Sequence, residues 1–205
     1  MFILPKLPYE YWELEPNVDT QTMIVHHTKH HQTYIDKLNN WLIWTEYSGL
    51  TNFDLIELVS DISKYQEPLK NLIKNHWWWH LNHILFRESL TPRSQNIDNF
   101  DIIKWKINND FGDFENFQKQ FTEKAMLLFW SWRTWLELDK KNNKLQITNY
   151  QNQENPYMYW YQAILWLDLR EHAYYLNNQN RRADYVSKRR NIVNWNNINT
   201  KLSNS

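Results

Sequence analysis

The chain is 205 residues long, carries 23 Lys and Arg against 23 Asp and Glu, and has no cysteine. Zero net charge argues against nucleic acid or an anionic membrane as the main partner, and the missing cysteine excludes disulfides, thiolate metal sites and cysteine nucleophiles. Any metal must be held by His, Asp or Glu, which favours manganese, iron or zinc over copper(I) or iron–sulfur clusters.

Residues 1–19 are punctuated by Pro5, Pro8 and Pro16 and read as extended. They offer neither the basic region nor the long apolar core of a signal peptide, and no apolar run approaches the roughly 20 residues that span a bilayer. A soluble, cytoplasmic protein is expected. From Thr20 to about Tyr47 the pattern is helical, with Met23, His26, His30, Tyr34 and Leu38 on one face. A short helix follows from Asn52 to Ser60. A third runs from about Tyr65 to Ser89, with His76, His80 and His83 on one face, and stops before Pro92 because the residue preceding proline avoids the helical region. Thr91 to Asp98 reads as a linker.

Two short helices, about 99–107 and 114–123, come next. Met126 to Leu138 reads as a long strand, and Lys144 to Asn149 as its antiparallel partner across the polar turn Asp139–Asn143. Ala163 to Asp168 is a third strand, and helices close the chain. The expected class is α+β: an N-terminal α-helical hairpin domain over 1–90, then a C-terminal α/β domain over 91–205 with a small three-stranded antiparallel sheet.

The segment that bears most on function is Asp168-Leu-Arg-Glu-His172, placed directly after the apolar run Ala163–Leu167. A buried strand ending in Asp, with His on the next element, can hold two metal ligands rigidly. Alone the pair is weak, since Asp and His four apart also form ordinary helix salt bridges. Two upstream segments, Val25-His-His-Thr-Lys-His30-His31-Gln-Thr-Tyr34 and His76-Trp-Trp-Trp-His80-Leu-Asn-His83, each offer further imidazoles. Three such segments together suit a His₃Asp site for a redox metal of the manganese or iron type, with one position left for solvent or substrate.

With these residues in view, the chain resembles the iron/manganese superoxide dismutases along essentially its whole length. Leu4-Pro-x-Leu-Pro-Tyr9 with Leu14-Glu-Pro16, and His26 through Tyr34, resemble the N-terminal signature of that family. His80-x-Asn-His83-x-x-Phe86 resembles its second-helix motif. Asp168-x-x-Glu171-His172-Ala-Tyr-Tyr-Leu176, Gln179-Asn-Arg-Arg182-x-Asp-Tyr185 and Val193-Asn-Trp195 resemble its C-terminal signature.

The resemblance implies dismutation of superoxide at one manganese or iron ion per subunit, manganese favoured. It makes His26, His83, Asp168 and His172 the metal ligands. His30 and Tyr34 would form the gateway that admits superoxide and relays protons, and Gln153 would hydrogen-bond the metal-bound solvent, as in the manganese branch. Glu171 would reach across a dimer interface to the partner's His172, Tyr175 would pack near the gateway, and Arg182 would add positive potential. A homodimer is implied, with a tetramer left open.

The departures from the family pattern run in one direction. Trp77, Trp78, Trp79, Trp130, Trp132 and Trp166 stand where the family has glycine, while Arg87, Arg133 and Arg170 stand where it has tryptophan. The chain holds 13 tryptophans and 2 glycines, where an average composition gives roughly 14 glycines. In a lineage where UGA encodes glycine and CGA or CGG tryptophan, reading the gene with another code produces both replacements. Taken literally, they predict overpacking of about 1–3 kcal/mol per site and desolvated cations beside the metal, hence a catalytically impaired metal-binding homologue. A third reading takes Trp77–Trp79 with Lys188-Arg-Arg190 as a stacking surface for single-stranded nucleic acid, against which the zero net charge counts.

Overall fold

The computed structural model describes residues 1–128, 132–152 and 154–204. Residues 11–17, expected to be extended, instead fold into consecutive turns, in which Asn17 N donates to the Leu14 carbonyl at 2.9 Å and Leu14 is fully buried. The apolar Leu14 anchors this segment in the core, so burial overrides the extended bias of its flanking prolines.

The first helical arm begins at Asp19, whose carboxylate accepts the Thr22 N–H at 2.8 Å and caps helix α1 (Thr20–Val25). Without a break in helical backbone it passes through a π-helical stretch, His26–His31, into α2 (Gln32–Leu42). The return arm comprises α3 (Leu55–Ser60), α4 (Leu69–Leu72), a second π-helical stretch Ile73–Trp77, and α5 (Trp78–Glu88). Both histidine-rich segments thus contain or abut a π turn, a widened geometry that occurs often at functional sites.

In the second half, α6 (Asp101–Phe111) ends at Gly112, whose φ of +92° suits a residue without a side chain. Asp113 then caps α7 (Phe114–Met126) by accepting the Asn116 N–H at 2.7 Å. Three antiparallel strands, β1 (Trp132–Asp139), β2 (Lys144–Gln151) and β3 (Gln162–Asp168), form a sheet in the order β2-β1-β3. The strand expected from Met126 therefore begins only at Trp132. Helix α7 continues through Met126 because Phe117, Phe121 and Ala125 recur at helical spacing and pack inward. An apolar run of this length does not reveal its period by itself. Helices α8 (Tyr175–Asn178), α9 (Arg182–Arg189) and α10 (Trp195–Ser203) complete the chain.

One apolar cluster runs from the helical arms into the sheet, joining Leu38, Trp77, Leu81 and Phe86 to Trp135 and Trp166. Leu90 bridges Val193 in antiparallel fashion and Thr91 N donates to the Ile192 carbonyl at 2.9 Å, which ties the start of the 91–98 segment to residues 192–193. The sheet register sets Arg133 of β1 opposite Asp168 at the end of β3, and this pairing brings a cation to the candidate ligand. Trp77, Trp78 and Trp166 are seated in the core at 1%, 0% and 1% exposure. Their indole N–H groups find no acceptor among the described residues, and a buried donor left unpaired costs about 1–3 kcal/mol. Trp130 lies outside the described residues, as does the side chain of Trp132.

Candidate metal centre

The C-terminal end of β3 delivers Asp168, fully buried, to a point between the two helical arms. His26 Nε2 lies 3.9 Å and His172 Nε2 3.5 Å from Asp168 Oδ2. The His83 ring lies 4.7 Å from the His26 ring between centroids. A metal with bonds of about 2.1 Å holds adjacent donors roughly 3–3.5 Å apart, so the donors of His26, Asp168 and His172 need close only slightly around an ion. His83 stands outside this tight group and reaches it through its ring contact with His26. The Nε2 atoms of His26, His83 and His172 are buried without a hydrogen-bond partner among the described residues. Burying such nitrogens unpaired is costly unless they bind something. The donor set therefore fits a divalent or trivalent transition metal.

Local bonding also selects the right tautomer. His83 Nδ1 faces the Trp79 carbonyl at 2.7 Å, which only accepts, so Nδ1 carries the proton and Nε2 keeps its lone pair for a ligand. Burial, reinforced by neighbouring imidazoles, holds His26 and His83 well below the usual histidine range. Both are accordingly neutral, the form that coordinates. Burial alone would lift the Asp168 carboxyl, but Arg170, the His172 ring and Arg133 outweigh it and hold it well below the carboxylate range.

The gateway candidates sit at the half-buried edge. The His30 ring is 4.9 Å from that of His172, and the Tyr34 ring is 6.1 Å from that of His83. Burial raises the Tyr34 hydroxyl above its ordinary value, while Arg170 and Arg133 pull the other way. Glu171 and Tyr175 are exposed on the surface beside His172. The Arg182 side chain donates to the Leu128 carbonyl. Gln153 lies outside the described residues.

The shared face expected for His76, His80 and His83 does not converge on one point. Residues three apart on a helix point about 60° from each other, and here that angle separates two sites. His80 Nε2 meets Asn52 Oδ1 at 2.9 Å, and its Nδ1 meets His31 Nε2 at 2.6 Å. His76 stays half-buried near Tyr34, with rings 6.4 Å apart. The His31–His80–Asn52 chain went unnoticed in the sequence because its members are separated by up to 49 positions; His31 in turn stacks on His83 at 5.0 Å.

Two arginines, at positions where the family resemblance implies tryptophan, lie against Asp168. Arg170 donates from Nη2 to Asp168 Oδ2 at 2.9 Å and from Nε to Oδ1 at 3.1 Å. Arg133 is fully buried, 5.3 Å from the Trp79 ring and 5.1 Å from that of Trp166, and burial lowers its pKa to about 9. Trp79 itself stacks on Tyr34 at 3.9 Å.

Four buried imidazoles make the metal-free protein acid-sensitive. Burial depresses His26, His31 and His83 strongly, and takes His80 to about 3. The unfolded chain binds protons at these groups below about pH 6.5 while the folded chain does not. Stability present above that pH is therefore lost as pH falls, by up to roughly 1.4 kcal/mol per pH unit for each histidine. Urea midpoints of the metal-free protein should drop steeply between about pH 6.5 and 4. A flat profile would show that these rings protonate within the fold.

The sequence matches two family profiles. That of the iron/manganese superoxide dismutase alpha-hairpin domain covers residues 1–91, and that of the iron/manganese superoxide dismutase C-terminal domain covers residues 100–201. Among curated proteins, a relative from Leptolyngbya boryana named superoxide dismutase [Mn] 3 is 40% identical over 199 residues, spanning 97% of this chain and 82% of its own.

Proposed function

Since this chain belongs to the iron/manganese superoxide dismutase family, we propose that His26, His83, Asp168 and His172 hold the metal on which its activity depends. The chain is a superoxide dismutase, and its cofactor is manganese or iron. The observation that carries the ligand assignment is the cluster of His26, Asp168 and His172 donor atoms, all within 4.8 Å of one another, with the buried Nε2 of His83, also without a hydrogen-bond partner among the described residues, on the ring next to His26. Manganese is the metal we favour, because Gln153 matches the glutamine of the manganese branch and the Leptolyngbya boryana relative is named for manganese.

Bound manganese or iron would supply one-electron chemistry: one superoxide is oxidised to dioxygen, and a second, with two protons, is reduced to hydrogen peroxide. The remaining work falls to side chains. The Trp79 carbonyl orients His83. His30 and Tyr34, half-buried beside the ligands, admit the small anion and relay protons. Gln153, outside the described residues, is the residue we assign to the solvent position by its match to the manganese branch. Arg182 contributes positive potential that steers the anion inward.

We place residues 1–90 and 91–205 in two domains. The exposed Glu171 and Tyr175 beside His172 support a homodimer in which Glu171 holds His172 of the partner subunit. No helix among the described residues is long and apolar enough to cross a membrane, and a cytoplasmic location is our reading. Trp77 and Trp78 are buried, which removes them from any stacking surface for nucleic acid.

One observation favours a second reading, a metal-binding homologue with impaired catalysis: Arg133 and Arg170 crowd the candidate ligands. Superoxide consumption per bound metal separates the two, measured on protein reconstituted with manganese alone and with iron alone. Higher turnover of the manganese form is expected. Equal turnover would make the enzyme indifferent to the metal, and a fully loaded protein without turnover would establish the second reading.

A further inference from the structure

We propose that Arg170 is an internal competitor of the metal for Asp168, so that loading requires its guanidinium to leave the carboxylate. The proposal rests on the ligand assignment above. Three contacts hold Asp168 to Arg170: Nη2 to Oδ2 at 2.9 Å, Nε to Oδ1 at 3.1 Å, and the backbone N–H to Oδ1 at 3.1 Å. The oxygen taken by Nη2 is also the one that His26 Nε2 and His172 Nε2 approach at 3.9 and 3.5 Å. Metal and guanidinium thus claim the same atom from the same buried pocket.

Coordination and this ion pair exclude each other for two reasons. A forked guanidinium occupies both carboxylate oxygens in one plane and leaves little room for a third centre. A cation held against Asp168 also repels an incoming metal cation, and burial weakens the screening between them. The guanidinium is held from its other side as well, with its central carbon 4.1 Å above the Trp79 ring. That ring is braced by Tyr34 at 3.9 Å and His83 at 5.2 Å. Displacing the side chain therefore breaks a bidentate ion pair and a cation–π contact together. The backbone N–H of Arg170 can stay on Oδ1 throughout, so the loop need not move.

The test is Mn²⁺ affinity, read by competition against a chelating indicator, with the thermal midpoint of the metal-free protein measured alongside. Arg170→Leu should bind Mn²⁺ at least tenfold more tightly than the parent chain. Its metal-free midpoint should fall, because Asp168 loses its ion-pair partner. Arg170→Lys, which keeps the charge but cannot hold both oxygens, should bind several-fold more tightly and keeps the question answerable if the leucine variant fails to fold. Parent-like affinity in whichever of these variants folds would overturn the proposal. Absence of Mn²⁺ binding in the parent and both variants would instead sink the ligand assignment, and the proposal with it.

Discussion

Replacing His83 with alanine should strip the chain of tightly held metal and of superoxide consumption together. Outer partners of metal ligands typically cost 10–100-fold in affinity or activity when removed, so loss of a ligand should cost at least about 100-fold. The fold should survive. His83 Nε2 has no partner among the described residues, so its removal relieves a buried polar atom while opening a cavity, and the two effects oppose each other. Asp168→Asn should match the loss of metal but behave differently in stability. It leaves the buried Arg133 and the partly buried Arg170 beside a neutral amide, and breaking a buried pair from one side costs about 3–5 kcal/mol. Metal content, turnover per subunit and urea midpoints of both variants provide the check. A His83→Ala protein with full metal and full activity would remove His83 from the site.

The second large effect concerns mass. Protein isolated from its native source should be lighter than this literal 205-residue sequence, with glycine at 77, 78, 79, 130, 132 and 166 and tryptophan at 87, 133 and 170. Several features point this way. The indoles of Trp77, Trp78 and Trp166 bury N–H groups without acceptors. Arg133 is wholly buried among aromatic rings, and Arg87 is buried enough to lower its pKa to about 10. Arg170 sits on the carboxylate that the metal needs. Trp160 holds a φ of +65°, a region that a bulky residue rarely adopts and glycine adopts freely. Each feature alone is tolerable at a cost of order 1–3 kcal/mol, yet a net stability of roughly 5–15 kcal/mol leaves little room for all of them. Intact-mass and peptide mass spectrometry decide the matter. A mass equal to that of the literal sequence would end the recoding explanation and make the competition at Asp168 a property of the organism's own enzyme.

Much of the architecture was legible in periodicity. The helical hairpin follows from apolar and histidine positions recurring at helical spacing, and β2 and β3 from short runs bounded by polar turns. The start of β1 was not legible, because Ala125 to Trp135 is largely apolar and the packing of Phe117, Phe121 and Ala125 decides where helix ends. The turns at 11–17 were hidden for a similar reason: burial of Leu14 outweighs local bias.

By itself the sequence determined the candidate donor types, the α+β order of elements and, through its motifs, the family. It also exposed the one-way exchange of glycine for tryptophan and tryptophan for arginine. Only the tertiary structure decided which of the 8 histidines converge. His26 and His172 approach Asp168 and the His83 ring packs against His26, whereas His31 and His80 pair with each other. It alone set Arg170 against the same carboxylate oxygen. Spacing along a helix fixes a direction about its axis, but not what stands in that direction. That depends on how two helical arms and a strand end pack, with contacts drawn from positions far apart in the chain.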